Sequence, residues 1–183
     1  MKKSALYVAA DAGRCTGCRA CELACFAEHS HRSNRVGKTV GTVAIPVTAG
    51  LYPVRIEGGL LPIQCRHCED APCLNACAKQ AITRVNGQII ISEARCIGCK
   101  DCITACPFGA IAIVPVYENG VPVRQPGSPL QRKVASKCDL CIGIEGGPAC
   151  VRACPNKALR VVDVEAERAA KSLKAAEALV FPK

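Results

Sequence analysis

The chain has no tryptophan, three tyrosines, three phenylalanines and one methionine among its 183 residues. An ordinary aromatic core is therefore missing, and the few rings form no stacking platform of the kind that binds single-stranded nucleic acid. No run approaches the ~20 apolar residues that a membrane span needs. The apolar stretch from Ala5 to Ala10 is too short for the core of a secretory signal.

Sequence signatures of common catalytic sites are absent as well. There is no glycine-rich phosphate loop, no dinucleotide fingerprint, no nucleophile elbow and no HExxH helix. The sequence therefore predicts a protein without a substrate-transforming site of its own, that is, a non-catalytic protein.

Cysteine, in contrast, is abundant, and the sixteen cysteines fall into four groups. Group 1 is Cys15, Cys18, Cys21 and Cys25; group 2 is Cys65, Cys68, Cys73 and Cys77; group 3 is Cys96, Cys99, Cys102 and Cys106; group 4 is Cys138, Cys141, Cys150 and Cys154. Each group places three thiols around one loop and a fourth about one helical turn later, which is the spacing of ferredoxin loops. The pattern predicts four 4Fe-4S clusters, and a chain with four clusters transfers electrons.

Two other uses of cysteine fit the spacing less well. A disulfide framework is typical of small secreted chains, but CxxC pairs rarely form structural disulfides. Zinc ribbons separate two CxxC pairs by a long loop, whereas groups 1 and 3 place a third cysteine only three residues after the second. Because four cysteines satisfy each cluster, His29, His31 and His67 are not expected to be ligands. His67 is instead predicted to hydrogen-bond cluster sulfur or to lie at a partner surface.

The formal charge of +9 does not predict nucleic-acid binding. A four-thiolate cluster carries about −2 when oxidised, so four clusters would contribute roughly −8 and bring the protein near +1. The basic surplus is therefore expected to be neutralised within the protein.

Groups 2 and 3 are predicted to form one two-cluster unit. Residues 78–95 between them contain Ile82 to Val85, Asn86-Gly87 and Gln88 to Ile91, which predict a hairpin with a type I′ turn. Groups 1 and 4 would then pair across the chain, so that one ferredoxin-like unit is inserted into another. Pairing of neighbours, group 1 with group 2 and group 3 with group 4, is the alternative.

In two-cluster ferredoxins the last cysteine of each group binds the neighbouring cluster. The predicted ligand sets of the inner unit are Cys65, Cys68, Cys73 with Cys106, and Cys96, Cys99, Cys102 with Cys77. Those of the outer unit are Cys15, Cys18, Cys21 with Cys154, and Cys138, Cys141, Cys150 with Cys25.

The predicted fold class is α+β, with two bacterial-ferredoxin-like units, the second inserted into the first, short β-hairpins and a C-terminal helix. The predicted divisions are an outer unit of residues 1–33 plus 125–162, an inner unit of 64–110, β-rich insertions at 34–63 and 111–124, and the helix at 163–183. Short helices are expected after Cys18, Cys73, Cys99 and Cys150. Because the aromatic core is missing, the clusters are expected to supply much of the folding free energy.

Both insertions contain β-type runs. In the first, Thr39 to Val47 and Tyr52 to Glu57 are separated by Thr48-Ala49-Gly50. In the second, Ala110 to Val116 and Val121 to Arg124 flank Asn119-Gly120 and predict another hairpin.

The C-terminal segment has a different character. Asp163 could cap a helix, Glu167 and Lys171 form an i,i+4 pair, and small or apolar residues recur at helical spacing. This helix either lies on its own domain or docks in a partner or in a second copy of the chain.

The chain resembles the four-cluster ferredoxin-like electron-transfer subunits of the formate hydrogenlyase, formate dehydrogenase and dimethyl-sulfoxide reductase family. The resemblance is carried by RCTGCRACE at 14–22, CEDAPC at 68–73, RCIGCK at 95–100, ACPFGA at 105–110, KCDLC at 137–141 and GPAC at 147–150. Two departures occur, since Phe26 and Ala78 replace the proline that often follows a last cysteine. In relatives group 1 is paired with group 4, which agrees with the inserted arrangement.

The resemblance implies a subunit that passes electrons between a catalytic subunit and a second redox partner. The expected partner is a cytoplasmic molybdenum or tungsten pterin oxidoreductase of the formate dehydrogenase or aldehyde oxidoreductase type. The alternatives are a relay for a hydrogenase or carbon monoxide dehydrogenase, a filament-forming polyferredoxin that self-associates through its C-terminal helix, and a free ferredoxin. The expected location is the cytoplasm, with export alongside a signal-bearing partner as the alternative.

Overall fold

The structure is a computed structural model that describes residues 5–32 and 45–180, without the side chain of His31. The helices are α1 Ala20–Arg32, α2 Pro72–Asn75, α3 Asp101–Ala105, α4 Ala149–Arg152 and α5 Val164–Val180. The strands are β1 Leu6–Ala10, β2 Leu51–Ile56, β3 Gly59–Gln64, β4 Ile82–Val85, β5 Gln88–Ile91, β6 Ala112–Pro115, β7 Tyr117–Glu118, β8 Val121–Pro122, β9 Lys133–Ser136 and β10 Leu159–Asp163. The mixture of short helices and strands, with a C-terminal helix, agrees with the α+β prediction.

The strands form five antiparallel two-stranded ribbons, β1–β10, β2–β3, β4–β5, β6–β9 and β7–β8. Within the described ranges no sheet has a third strand. A two-stranded ribbon has little face to bury and is marginal alone, so the ribbons depend on what is packed between them.

The hairpin predicted between groups 2 and 3 is confirmed. Strands β4 and β5 pair with Val85 opposite Gln88, and the two turn residues Asn86 and Gly87 have φ of 52° and 84°. Positive φ at both positions defines the type I′ turn, whose twist matches that of the strands it joins.

The hairpin predicted around Asn119-Gly120 is wrong in its main pairing. The two-residue strands β7 and β8 meet at this turn, and the Val123 N–H donates to the Val116 carbonyl just beyond them, whereas Ala112–Pro115 pairs with Lys133–Ser136. Strand β9 supplies Val134 and Ala135, which are buried. The longer-range pair is preferred because it covers apolar side chains that β8, exposed at both residues, could not cover.

The first insertion also differs from the prediction. Of the run Thr39 to Val47, residues 39–44 lie outside the described residues, and residues 45–47 are not strand. The second run forms β2, which pairs with β3 rather than with an upstream strand. Pro53 faces Pro62 in this ribbon, and it is tolerated because neither strand has a further neighbour that needs its N–H.

The helices pack in two pairs, α1 against α4 and α2 against α3. Two buried cores accompany them. One contains Val8, Leu51, Leu140 and Leu159 with Cys25, Cys65, Cys138 and Cys150; the other contains Ala71, Ile82, Ile89, Ile111 and Ala135 with Cys73 and Cys102. Cysteines are therefore built into both cores.

Helix α5 follows β10 directly. The Asp163 carboxylate accepts hydrogen bonds from the backbone N–H groups of Glu165 and Ala166 at 3.0 and 3.1 Å, which confirms the predicted cap. Glu167 pairs with Arg160 at 2.6 Å rather than with Lys171. No residue of α5 is buried, and its contacts with the rest of the described chain include those with β10; whether the helix lies on its own domain or docks elsewhere stays open.

Candidate metal centres

All sixteen cysteines are free thiols, and one backbone feature recurs in every group. The residue immediately before the second cysteine has a left-handed conformation, with φ of 69° at Gly17, 48° at His67, 72° at Gly98 and 58° at Leu140. This turn folds the chain back, so that the first and second cysteines of a group reach one point. The four loops therefore share a geometry that does not depend on their different middle gaps.

Two cavities are lined by four cysteines each. One is lined by Cys96, Cys99 and Cys102 of group 3 together with Cys77 of group 2. The other is lined by Cys15, Cys18 and Cys21 of group 1 together with Cys154 of group 4. In both cavities the fourth cysteine comes from another group.

The remaining eight cysteines gather in two sets. Burial, followed by the nearby Cys25, Cys141 and Cys21 thiols, raises the pKa of Cys150 to about 12. Burial also raises the pKa of Cys73, as do its neighbours Cys65, Cys106 and Cys68 in decreasing order, apart from an opposing effect of Lys137. Cys138 shares a core with Cys25 and Cys150. The cysteines of each predicted set are thus neighbours in the structure.

The chemistry of these sets fits iron. Ionising several buried thiols side by side is unfavourable, as the raised pKa values of Cys21 and Cys102, each about 11, show; burial is the main cause of both shifts. A soft cation offsets that cost by coordinating the thiolates directly. Sets of four thiols meet the ligand requirement of a cubane cluster.

Backbone N–H groups are directed at six of the sulfur atoms. The donors and acceptors are Gly50 to Cys25 at 3.3 Å, His67 to Cys65 at 3.4 Å, Ala81 to Cys77 at 3.3 Å, Ala135 to Cys96 at 3.3 Å, Leu140 to Cys138 at 3.4 Å and Ala158 to Cys154 at 3.2 Å. Such donors stabilise negative charge on sulfur. Three of them act on the last cysteine of a group, the one that lies near another group.

The sets differ in exposure. Cys18 and Cys99 are exposed, whereas Cys25, Cys138, Cys141 and Cys150 are all buried. The sets that contain Cys18 and Cys99 therefore lie nearest to solvent.

Sequence reasoning missed two polar arrangements beside the cysteines. His29 bonds Asp139 at 2.9 Å through Nε2 and the Cys25 carbonyl at 2.8 Å through Nδ1, which joins α1 to the loop of group 4. Lys137 is buried although it is a lysine. Its position immediately before Cys138 was the only available signal, because spacing does not report burial.

Comparisons with known proteins agree with this geometry. Residues 56–119 and 88–155 each match a 4Fe-4S dicluster domain. The iron-sulfur protein of Rhodospirillum rubrum is 40% identical over 173 residues, which cover 92% of this chain and 87% of that protein. The chain belongs to the ferredoxin-like electron-transfer subunits of the formate hydrogenlyase type.

Two further relatives of this electron-transfer family come from Escherichia coli strain K12. Electron transport protein HydN is 42% identical over 162 residues, covering 86% of this chain and 87% of that protein. Formate hydrogenlyase subunit 2 is 40% identical over 176 residues, covering 86% and 81%. The two dicluster matches and the sixteen cysteines together fit up to four 4Fe-4S clusters. Residues 5–32 and 45–180 contain no helix long and apolar enough to cross a membrane.

Among solved structures, the active site complex BamBC of benzoyl coenzyme A reductase contains a chain that is 24% identical and covers 96% of this chain and 92% of its own length. Its TM-score of 0.38 is too low for the two folds to be compared in detail.

Proposed function

We propose that this electron-transfer subunit relays electrons through four 4Fe-4S clusters between a molybdenum or tungsten pterin oxidoreductase and a second redox partner. The observation that carries the proposal is that two cavities are each lined by four cysteines, three from one group and the fourth from another. A cytoplasmic location for the complex stays a prediction.

The proposed ligand sets keep the crossed pattern. The outer sets are Cys15, Cys18, Cys21 with Cys154, and Cys138, Cys141, Cys150 with Cys25; the inner sets are Cys65, Cys68, Cys73 with Cys106, and Cys96, Cys99, Cys102 with Cys77. Each cluster, when bound, supplies a site for one electron. The chain supplies the thiolates, the amide donors to sulfur and the burial that set how readily the electron is accepted.

Exposure suggests an order for the relay. The set containing Cys18 and the set containing Cys99 would lie at the two ends, because these two cysteines are exposed. The fully buried set of Cys25, Cys138, Cys141 and Cys150 would lie inside, next to the set of Cys65, which shares its core. Electrons would enter and leave near Cys18 and Cys99.

The proposed arrangement of units is that residues 64–110 form a unit inserted between residues 1–33 and 125–162. Pairing of β1 with β10 and contact between α1 and α4 support it, since they join the two ends of the described chain. Contact between α2 and α3 supports the inner unit. The dicluster matches cover groups 2 and 3 and groups 3 and 4, and neither includes group 1.

Counting iron in paired variants tests the ligand sets. Cys25→Ala with Cys138→Ala removes two ligands of one proposed cluster, so about twelve of about sixteen irons should remain. Cys25→Ala with Cys15→Ala affects two proposed clusters, and about eight irons should remain. The reverse order, with fewer irons lost from the second pair, would contradict the crossed pattern. Loss of only one cluster from Cys25→Ala with Cys65→Ala would support the pairing of neighbouring groups, because these two cysteines would then bind the same cluster.

The similarity to formate hydrogenlyase subunit 2 favours a formate-type catalytic partner over an aldehyde oxidoreductase. Metal analysis of the complex isolated from its native cells tests whether the catalytic partner is a pterin enzyme of either type. Molybdenum or tungsten together with about sixteen irons on this subunit is the expected result. A complex that contains nickel and no molybdenum or tungsten would contradict it and favour the hydrogenase relay.

Helix α5 is the proposed docking element, either for a catalytic partner or for a second copy of the chain. Leu173 is 61% exposed and Val180 is 68% exposed, and no residue of the helix is buried. Deleting residues 165–183 should dissociate the native complex while the iron content stays the same. A complex that survives the deletion would contradict this role.

A further inference from the structure

Two polar side chains are buried between the cysteine groups, which is unusual for a histidine and a lysine. His67 is 0% exposed and Lys137 is 9% exposed. His67 lies between Cys65 and Cys68 of group 2, and Lys137 immediately precedes Cys138 of group 4. Strand β5 lies between them and contacts both through Ile89.

The tautomer of His67 follows from its hydrogen bond. The backbone N–H of Ile89 donates to Nδ1 of His67 at 3.0 Å, so Nδ1 carries no proton and the neutral ring is protonated at Nε2. The Nε2 atom is buried and has no hydrogen-bond partner among the described residues. A buried donor without an acceptor is unfavourable, because it has lost its hydrogen bond to water and gained none in return. Cluster sulfur is an acceptor that the neighbouring Cys65 and Cys68 would bring to it.

The hydrogen-bond acceptors of Lys137 are both neutral carbonyls. Its Nζ donates to the Ile89 carbonyl and to the Cys138 carbonyl, the latter at 2.9 Å, and neither acceptor carries a charge. A buried cation needs a negative partner. The adjacent Asp139 carboxylate already pairs with His29. The negative charge of bound clusters would supply the missing partner.

The charge of Lys137 acts on cysteines of two different sets. Burial raises the pKa of both Cys138 and Cys73, and at each thiol the Lys137 charge opposes that rise. Cys138 belongs to the proposed buried outer set and Cys73 to the adjacent inner set. The contacts agree, because Lys137 directly precedes Cys138 and its Nζ donates to the carbonyl of Ile89, which shares a buried core with Cys73. The ammonium therefore lies between the two proposed units.

We propose that His67 and Lys137, connected through the backbone of Ile89, are positioning residues that raise the reduction potentials of the two central clusters. This inference rests on the proposed function. Reduction adds one negative charge to a cluster. The Nε2–H of His67 would stabilise that charge on the cluster of Cys65 and Cys68, and the Lys137 ammonium would stabilise it on this cluster and on the cluster of Cys138.

The test is a redox titration of the intact, cluster-loaded protein, followed by electron paramagnetic resonance. Lys137→Met should lower two of the four potentials, each by about tenfold in the reduction equilibrium constant, which is about 59 mV for one electron. His67→Phe should lower only one of the same two potentials by a similar factor. Lys137→Arg keeps the charge and should leave both potentials near those of the parent protein.

Lys133→Met is the matched control, because Lys133 is exposed on β9 and its loss changes the net charge equally. Its potentials should not change. Unchanged potentials in both Lys137→Met and His67→Phe, with full iron content, would overturn the inference while leaving the relay intact. Iron content far below sixteen in the parent protein would instead overturn the proposed function.

A second pair of variants covers failure of the first to assemble. Lys137→Gln and His67→Gln retain a hydrogen-bond donor without the lysine charge or the imidazole ring. If they keep all the iron, lower potentials in Lys137→Gln support the inference and unchanged ones overturn it. Loss of a cluster in both would also overturn it, because the two residues would then serve assembly rather than potential.

Discussion

Groups 2 and 3 are joined by local structure, whereas groups 1 and 4 meet from opposite ends of the described chain. The inner pair is connected by the β4–β5 hairpin and by contact of α2 with α3. The outer pair is connected by β1–β10, by α1 with α4, and by side-chain pairs that include Arg152 with Glu28 at 3.0 Å. The same type of cysteine loop is thus held by a tight turn in one pair and by long-range contacts in the other.

The difference shows where the cost of closing the chain is met. A two-residue turn brings groups 2 and 3 together with little loss of chain entropy, whereas groups 1 and 4 must close a loop of more than a hundred residues. Ion pairs and a strand pair offset that cost in the outer pair. We therefore expect the stability of the outer pair to depend more strongly on pH and salt than that of the inner pair.

The largest effect is expected on removing iron. Because the strands form only two-stranded ribbons and the proposed clusters would hold the cysteines of both cores together, both pairs should lose most of their structure on chelation. Circular dichroism and hydrogen exchange measure the loss. A protein that keeps protected amides in β4–β5 after complete chelation would show that the inner pair folds without metal.

The next largest effect compares equivalent glycines of groups 1 and 3. A Cβ at Gly98 would lie 2.7 Å from the Lys133 carbonyl oxygen, whereas at Gly17 it would lie 2.6 Å from Cδ1 of the Leu60 side chain. Both positions have positive φ, so each alanine costs about 1–2 kcal/mol in backbone strain. Gly98→Ala should cost roughly 1–3 kcal/mol more, because backbone cannot move aside as a side chain can.

The rate of cluster loss in denaturant measures this difference, and Leu60→Ala provides the control. Adding Leu60→Ala should relieve part of the defect of Gly17→Ala and have no effect on Gly98→Ala. Equal bleaching rates for the two glycine variants would contradict the predicted difference.

A smaller effect is expected from pH on the outer pair alone. The hydrogen bond to Asp139, followed by the interaction with Cys25, raises the pKa of His29 from 6.5 to about 11. The pKa of Asp139 is lowered, because although burial would raise it, its hydrogen bond with His29 and the charge of that ring outweigh burial.

The stabilisation should therefore be fully present below pH 6.5 and decline as pH rises towards about 11. It should also decline in acid, as pH falls below 3.8 through the lowered pKa of Asp139. A charge-assisted bond of this kind contributes about 1.5–3 kcal/mol. His29→Gln should remove the alkaline slope from the rate of cluster loss. A slope that persists unchanged in this variant would assign the pH dependence to another group.

The smallest effect concerns salt. The Arg152–Glu28 pair is partly exposed and should contribute about 0.2–1 kcal/mol, and less at high ionic strength. Glu28→Gln should speed cluster loss slightly at low salt and not at high salt.

The inner counterpart of this ion pair is Arg84, which donates to the carbonyls of Cys68, Glu69 and Gly87. Arg84→Met should therefore give a defect that depends less on salt, and a strong salt dependence there would contradict the contrast.

Local signals in the sequence were sufficient for some features. The Asn86-Gly87 turn and the Asp163 cap were both predicted, because each depends on residues within a few positions of one another. Cysteine spacing likewise indicated which thiols share a loop. These features need no knowledge of distant parts of the chain.

Features that depend on distant partners were not predicted. The pairing of β6 with β9 bypasses a closer turn, because burial of Val134 outweighs proximity along the chain. The burial of Lys137 has no sequence pattern, since it involves contact with Ile89 on strand β5, which is 48 residues away along the chain. The length of α1 was also not predicted. Phe26 follows the last cysteine of group 1, where groups 3 and 4 have proline, and the helix continues to Arg32.

The attachment of α5 limits what a bound protein could do there. The helix continues from β10 without a linker, and its 17 residues span about 25 Å. A protein that binds only the far end of the helix would lie well away from the thiols. Such binding can tether and orient an assembly, but electron transfer has to take place elsewhere, at faces much nearer to Cys18 or Cys99.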